Sequence, residues 1–218
     1  ASLASLVVWL FSILVMPFFQ AGIIGMADEA LDRRTRLNSF IAVGKEHYVT
    51  ILVAYLLLFV ITVIVFVVSL IISFILGIIF LPNLEFSGFA IGAVGLLFGI
   101  SYLPMLIFVF FVQFYGQAIV LDNERSMDAI RRSVNLVRQN VLSTLGYSII
   151  GAVFGGGLGL VLGGLSILAS PQPAQFYDLP QVSFPTLTGA ILVVVVFGSV
   201  VGSFLAIFSV AFYREIAY

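Results

Sequence analysis

Uninterrupted apolar runs are the feature that most limits what this chain can fold into. The run from Val49 to Leu81 contains no charged residue, and neither does the run from Phe89 to Leu121. About 18 apolar residues in a row already mark a membrane-spanning helix, and backbone groups in lipid must be satisfied within a helix or a closed barrel. Barrel strands would alternate polar and apolar residues over about ten positions, and these runs are continuous. We therefore predict an all-α fold, a polytopic transmembrane helical bundle.

The composition and the run boundaries give the number of spans. Only 9% of the residues are charged, against about 25% in an average soluble domain. Pro104 predicts a kink in the third helix, and the excess length of the second predicts tilt and protrusion, with a break near Gly77. A proline-rich loop is expected over residues 171–185. The five spanning helices are predicted at about Ala1–Ala27, Val49–Leu81, Phe89–Leu121, Val141–Ala169 and Thr188–Tyr213.

The chain is expected to form one integral membrane domain over residues 1–218. Because Ala1 already lies inside an apolar run, we expect a further helix upstream of it. Two charged connectors, Asp28–Tyr48 and Asp122–Asn140, join the apolar runs on one side. Their similar patterns suggest a weak parallel repeat of residues 1–88 and 89–169, followed by a final helix at 188–213. A duplication and the ordinary likeness of two cytoplasmic connectors both remain open as explanations.

The second connector has the pattern of an amphipathic helix. Its apolar residues recur at spacings of three and four, which places them on one stripe of a helix. Ser126 is the expected N-cap, with Asp128 in the first turn. Such a helix lies along the membrane surface or against the end of the bundle. The stripe consists of Met127, Ile130, Val134, Val137 and Val141.

The cations predict the orientation. All of the Lys and Arg residues fall in the two connectors or after the last helix, at Arg214. Five spans place these regions on one side, and the other side carries only Glu85 and Asp178 as charges. Lys and Arg are enriched in cytoplasmic loops. We therefore expect a multi-pass protein of the cell membrane with both connectors and the C-terminus in the cytoplasm.

The run FYGQAIVLDNERSMDAIRRSVNLVRQN, which contains this amphipathic stretch, resembles the signature of a haloarchaeal multi-pass membrane domain family of unknown function. That family is similar to the membrane domain fused to some glycerophosphodiester phosphodiesterases. The resemblance covers most of the chain and implies an archaeal membrane protein, without catalytic residues to transfer. The soluble phosphodiesterase barrel with its His, Glu and metal ligands is absent from this sequence, so that activity is not implied.

Glycines at a spacing of four predict where helices pack. Small residues at this spacing let two helix backbones approach closely in lipid. Tight packing is the favoured interpretation, and a pore or substrate gap is the alternative. The residues expected to pack are Gly151, Gly155, Gly159 and Gly163 in the fourth helix and Gly198 and Gly202 in the fifth.

Two polar sets are the remaining candidates for contacts. Gln113 and Gln117, with Gln20 as a partner, form an expected intramembrane polar patch, either through hydrogen bonds between helices or around a ligand. The arginines of the connectors are candidates for contact with lipid headgroups or with a protein partner. These are Arg33, Arg34, Arg131, Arg132 and Arg138.

Catalytic and metal chemistry are not predicted. The chain has no cysteine and a single histidine, His47, which we interpret as an interfacial residue because a metal site needs several converging ligands. The acidic residues Asp28, Glu29 and Asp32 stand beside arginines and are interpreted as a solvated face of mixed charge. No Asp, Glu, Lys, Arg or His lies deep in a predicted span, whereas ion-coupled transporters usually carry one.

The function expected from these features is that of a non-catalytic accessory, scaffolding or lipid-interacting subunit in the membrane. The alternative is a transporter or channel component for an uncharged or lipidic substrate. The expected partners are membrane lipids, and another membrane protein or a second copy. No nucleic acid is expected, since the net charge is −1, and no cofactor is expected.

Overall fold

The computed structural model of the chain describes residues 3–80, 88–169 and 184–218, and every element in these ranges is a helix. Five helical stretches are long and apolar enough to cross a membrane, which confirms the prediction of an all-α, multi-pass protein. The expected proline-rich loop, apart from Phe184 and Pro185 at the start of the last described helix, and the turn around Glu85 lie outside the described residues. The helices are α1 (Leu3–Asp32), α2 (Leu37–Phe80), α3 (Gly88–Val112), α4 (Tyr115–Asp122), α5 (Ser126–Gln139), α6 (Val141–Ala169) and α7 (Phe184–Ala217).

Helix α2 is longer than a membrane is thick. It contains 44 residues and so measures about 66 Å at 1.5 Å per residue, against a hydrocarbon core of about 30 Å. It begins at Leu37, inside the first connector, and runs through Gly77 without interruption. The predicted break near Gly77 was therefore wrong, because one glycine weakens a helix by only about 1 kcal/mol. Part of the connector instead continues the spanning helix beyond the apolar run.

The chain divides into two compact units, the first comprising residues 1–26 and 35–139. In this unit the ends of α1 and α2 that adjoin the first connector pack through aromatic rings. Phe18 and Phe19 each meet Phe40 edge-on, with ring centroids 5.6 Å apart. Further along α2, one face is buried at the helical spacing of residues 47, 51, 54 and 58. The described core of the unit thus lies beside the connectors.

The second unit comprises residues 27–34 and 140–218. Stacked aromatic rings hold α6 against α7 there, and Tyr147 lies 4.8 Å from Phe212 and 5.4 Å from Phe208 between ring centroids. Tyr213 and Val210, one turn apart on α7, are also buried. Most described side chains further along these two helices are exposed, as expected for helices whose neighbour is lipid or another protein.

The turn between α4 and α5 depends on Asn123, the one non-glycine residue with a positive φ among the described residues, at 54°. Its left-handed conformation ends α4 and lets the backbone N–H of Glu124 donate to the carbonyl of Ala118 at 3.3 Å. Asparagine tolerates this conformation better than most residues, and a β-branched residue tolerates it poorly.

Substitutions at Asn123 should therefore follow the backbone geometry. We expect Asn123→Gly to leave stability nearly unchanged and Asn123→Val to lower it by about 1–2 kcal/mol. The measurement is the free energy of unfolding in detergent. Equal loss in both variants would mean that the side chain of Asn123, and not its φ, matters.

Candidate functional site

The helix that was predicted over Phe89–Leu121 is broken. It ends as α3 at Val112 and resumes as α4 at Tyr115, while it passes through Pro104 without ending. A helix breaks where another side chain inserts into its hydrogen-bond ladder. Here the inserted group is the hydroxyl of Ser133 from α5, which donates to the carbonyl of Phe111 at 2.9 Å and accepts from the N–H of Phe114 at 3.1 Å. The break is thus stabilised from outside the helix.

Helix α5 packs against α2, α3 and α4 within the first unit, and this packing brings Ser133 to the break. This agrees with the second of the two placements predicted for it, against the end of the bundle. The predicted stripe was wrong in detail, since Met127 and Val141 are 46% and 44% exposed. Apolarity alone did not identify the inner face, because a small residue and a hydroxyl occupy central positions on it. The buried residues of α5 are Ala129, Ile130, Ser133 and Val137.

An ion pair fixes the turn that leads into α5. The side chain of Asp122 is 7% exposed, and one of its carboxylate oxygens lies 2.6 Å from Nε of Arg132. Glu124 lies 4.0 Å from the same guanidinium. The hydroxyl of Ser126 does not act as the predicted N-cap and donates instead to the carbonyl of Thr50 on α2, at 2.7 Å. These contacts fasten α5 to its neighbours at its first turn and near its middle.

The connector arginines divide into an internal one and exposed ones. Arg132 is engaged by Asp122 and is only 34% exposed, and its predicted role as a contact for headgroups or partners stays a prediction. Arg131, next to it, is 72% exposed and lies 3.8 Å from Asp128. Arg33 is 77% exposed and pairs with Glu29 at 3.1 Å. Arg34 and Arg138 are exposed too.

A tyrosine forms a hydrogen bond to one of the glutamines of the predicted polar patch. Gln20 on α1 accepts a hydrogen bond from the hydroxyl of Tyr115 on α4, at 2.9 Å. Gln117 is buried on the same short helix, and Gln113 is half-buried beside the break. Sequence reasoning missed Tyr115, although it stands between the two glutamines. The patch of all three glutamines stays a prediction. Of the three, Gln20 makes the hydrogen bond that joins α1 to α4.

The close approach predicted for the α6 and α7 glycines is not seen among the described residues. A Cβ added at Gly151, Gly155, Gly159, Gly163 or Gly202 would meet no heavy atom within 4 Å, and one at Gly198 would meet only a methyl of Leu158, at 4.0 Å. The described residues thus show no close neighbour for these glycines, and their role in helix packing stays a prediction. Open space on one side of a spanning helix is what lipid or another protein occupies.

Other glycines make the close contacts. A Cβ at Gly22 would lie 2.5 Å from the ring of Phe40, and one at Gly25 would lie 2.7 Å from a methyl of Val43. Gly44 and Gly116 are similarly tight, against Phe18 and Gln20 respectively. In the sequence, these glycines could have been identified by their position beside the connectors, where aromatic and charged residues accumulate. The spacing of four did not identify them.

In the second unit, the acidic residues after the first span meet the last helix. Arg214 on α7 pairs with Asp28 at 2.5 Å and with Asp32 at 3.1 Å. The side chains of Asp28 and Glu29 are 32% and 9% exposed, so the predicted solvated face was wrong for these two. Sequence reasoning found the acids but not their partner, because nothing local connects them to Arg214.

The described part of the chain contains no cluster of side chains that could hold a metal ion. His47 is buried, 8% exposed, on the inner face of α2, and its predicted place at the membrane interface stays a prediction. No group of three or more His, Cys, Asp or Glu side chains lies close enough to hold a metal ion among the residues described. The expectations of no metal and no cofactor stay predictions.

Comparison with known proteins matches the chain to a family. The family model of a domain of unknown function, DUF7847, matches residues 1–216. No curated protein matches the chain, and no solved structure does.

Proposed function

The chain belongs to the DUF7847 family, a domain of unknown function, and from its contacts we propose that it is a non-catalytic membrane scaffold. In this role it is an accessory or lipid-interacting subunit, which acts through the surfaces of its charged connectors. The apolar helices hold these surfaces at the membrane boundary. An archaeal origin and a relation to the membrane domain fused to glycerophosphodiester phosphodiesterases are part of the proposal.

The observation that carries the proposal is the distribution of charge. The apolar runs Val49–Leu81, Phe89–Leu121 and Val141–Ala169 contain no Asp, Glu, Lys, Arg or His. Several charges of the connectors pair with one another, as Arg132 does with Asp122. A buried unpaired charge or a perturbed cluster is what marks a proton or ion pathway in a membrane protein. Paired charges beside the connectors favour a structural and binding role over transport or catalysis.

Reconstitution separates this role from the alternative, a transporter or channel component for an uncharged or lipidic substrate. We expect purified protein in vesicles to produce no saturable flux of small uncharged solutes and no transfer of fluorescent short-chain lipids between leaflets. Vesicles prepared without protein provide the baseline. Saturable flux above that baseline would replace the scaffold with the transporter.

The orientation in the cell membrane is part of the same proposal. Because the chain contains no cysteine, single-cysteine variants report accessibility without a background. We expect Arg34→Cys and Arg138→Cys to react with an impermeant maleimide only after the cells are permeabilised, and Glu85→Cys to react in intact cells. Reaction of Arg34→Cys and Arg138→Cys from opposite sides would contradict the proposed topology.

A further inference from the structure

One flank of α5 combines exposed apolar and cationic side chains. Met127, Arg131, Val134 and Arg138 follow one another at spacings of four, three and four, so they form a single stripe along the helix. Met127 is 46% exposed. Arg131 and Arg138 are exposed, and Val134 is half-buried. This stripe, called the α5 flank below, lies beside the buried face and not on it.

The chain holds the α5 flank close to the membrane boundary. The candidate span Gly99–Asp122 ends where α4 ends, and α5 begins after residues 123–125. The next candidate span begins at Val141, after Asn140 alone. A 14-residue helix between two spans, with its inner face used by protein contacts, presents its flank at the level of the lipid headgroups.

The chemistry of the flank suits that level. Arginine carries its aliphatic stem along apolar surface and its guanidinium in a polar layer, and the guanidinium binds phosphate oxygens in a bidentate geometry. The pair between Arg131 and Asp128 is exposed on both sides, at 72% and 53%, and 3.8 Å long. Pairs of this kind contribute little, so Arg131 is available to a phosphate.

We propose that the α5 flank binds the phosphate groups of anionic phospholipids, with Met127 and Val134 against the acyl chains. The inference rests on the proposed scaffold role and names its lipid. Charge complementarity selects an anionic lipid over a neutral one. The apolar residues interleaved with the arginines select a lipid surface over a soluble acidic protein, which would not require them at the same depth.

The test uses the full chain in mixed vesicles of phosphatidylcholine and phosphatidylglycerol. Met127→Cys, the only thiol in the protein, is labelled with a fluorophore, and a quenching bromolipid is supplied with either headgroup. We expect brominated phosphatidylglycerol to quench more strongly than the same amount of brominated phosphatidylcholine. Replacing Arg131 and Arg138 by glutamine should remove this preference. Each replacement should lower the relative affinity for phosphatidylglycerol about fivefold.

Matched controls make the result specific. Arg125→Gln changes an exposed arginine outside the stripe and should keep the preference. As a measurement that needs no cysteine, the phosphatidylglycerol retained by purified wild-type protein should exceed that retained by the variant with both Arg131→Gln and Arg138→Gln. Equal quenching by the two lipids with the arginines present would overturn the proposal. So would protection of Met127→Cys from both quenchers by a bound acidic protein. Either outcome leaves the scaffold role standing if reconstituted vesicles remain without flux.

Discussion

Gly25→Ala is expected to destabilise the protein by about 1–3 kcal/mol or more, the usual range for overpacking, whereas Gly155→Ala is not. The added methyl at position 25 would lie 2.7–2.8 Å from Cβ and both methyls of Val43. The Cβ of Val43 is bonded to the backbone of α2, so rotation of the side chain cannot relieve the contact. The two helices would have to separate where their aromatic residues interlock. Thermal or detergent-induced unfolding of the purified protein measures the loss.

Gly155 provides the matched control, since it is also a helical glycine of an apolar span but has open space around its Cβ position. Alanine there should leave stability unchanged or raise it by up to about 1 kcal/mol through helix propensity. Combining Gly25→Ala with Val43→Gly should recover part of the loss, because the obstructing side chain is gone. A loss at Gly155 as large as that at Gly25 would instead indicate that the α6 glycines pack against another protein.

Arg132→Ala is expected to cost about 2–3 kcal/mol, while Arg131→Ala, one residue earlier, should cost less than about 1 kcal/mol. Removing Arg132 leaves the carboxylate of Asp122, 7% exposed, next to Glu124 without its cation. Removal of one partner from a fully buried pair costs about 3–5 kcal/mol, and the 34% exposure of Arg132 reduces this figure. Arg131 and Asp128 are both largely in solvent.

The double variant Asp122→Asn with Arg132→Gln tests the cause. If the loss comes from an uncompensated carboxylate, the double variant should be more stable than Arg132→Ala alone, and the coupling in a double-mutant cycle should exceed that between Asp128 and Arg131. Similar losses for Arg131→Ala and Arg132→Ala would contradict the division of the connector arginines into internal and exposed ones.

The sequence predicted what depends on composition over long stretches. The spans follow from runs such as Val141–Ala169 without charge, and the family match to residues 1–216 agrees with a resemblance that covers most of the chain. The helical connector was also predictable, because amphipathic periodicity over several turns outweighs single residues. The proposed orientation depends on the same long-range counting of cations and stays a prediction.

What the sequence could not predict depends on single contacts between distant residues. The break at Phe114 requires the hydroxyl of Ser133, and a serine on an amphipathic helix has no local mark of that role. The spacing of Gly151 and Gly155 is a statistical sign of packing, whereas Gly25 is identified only by the position of Val43. The inner face of α5 likewise could not be predicted, because it is determined by contacts with α2, α3 and α4.

The pairing of Arg214 with Asp28 and Asp32 has a consequence for biosynthesis. Asp32 precedes Arg214 by 182 positions in the chain, so both aspartates are synthesised well before the arginine that pairs with them. Helices α1 and α2 are therefore made while these carboxylates still lack this cation, and the second unit forms only once α7 has been synthesised. A chain truncated before Arg214 would lack this contact and would present the defect to the proteases that survey newly made membrane proteins.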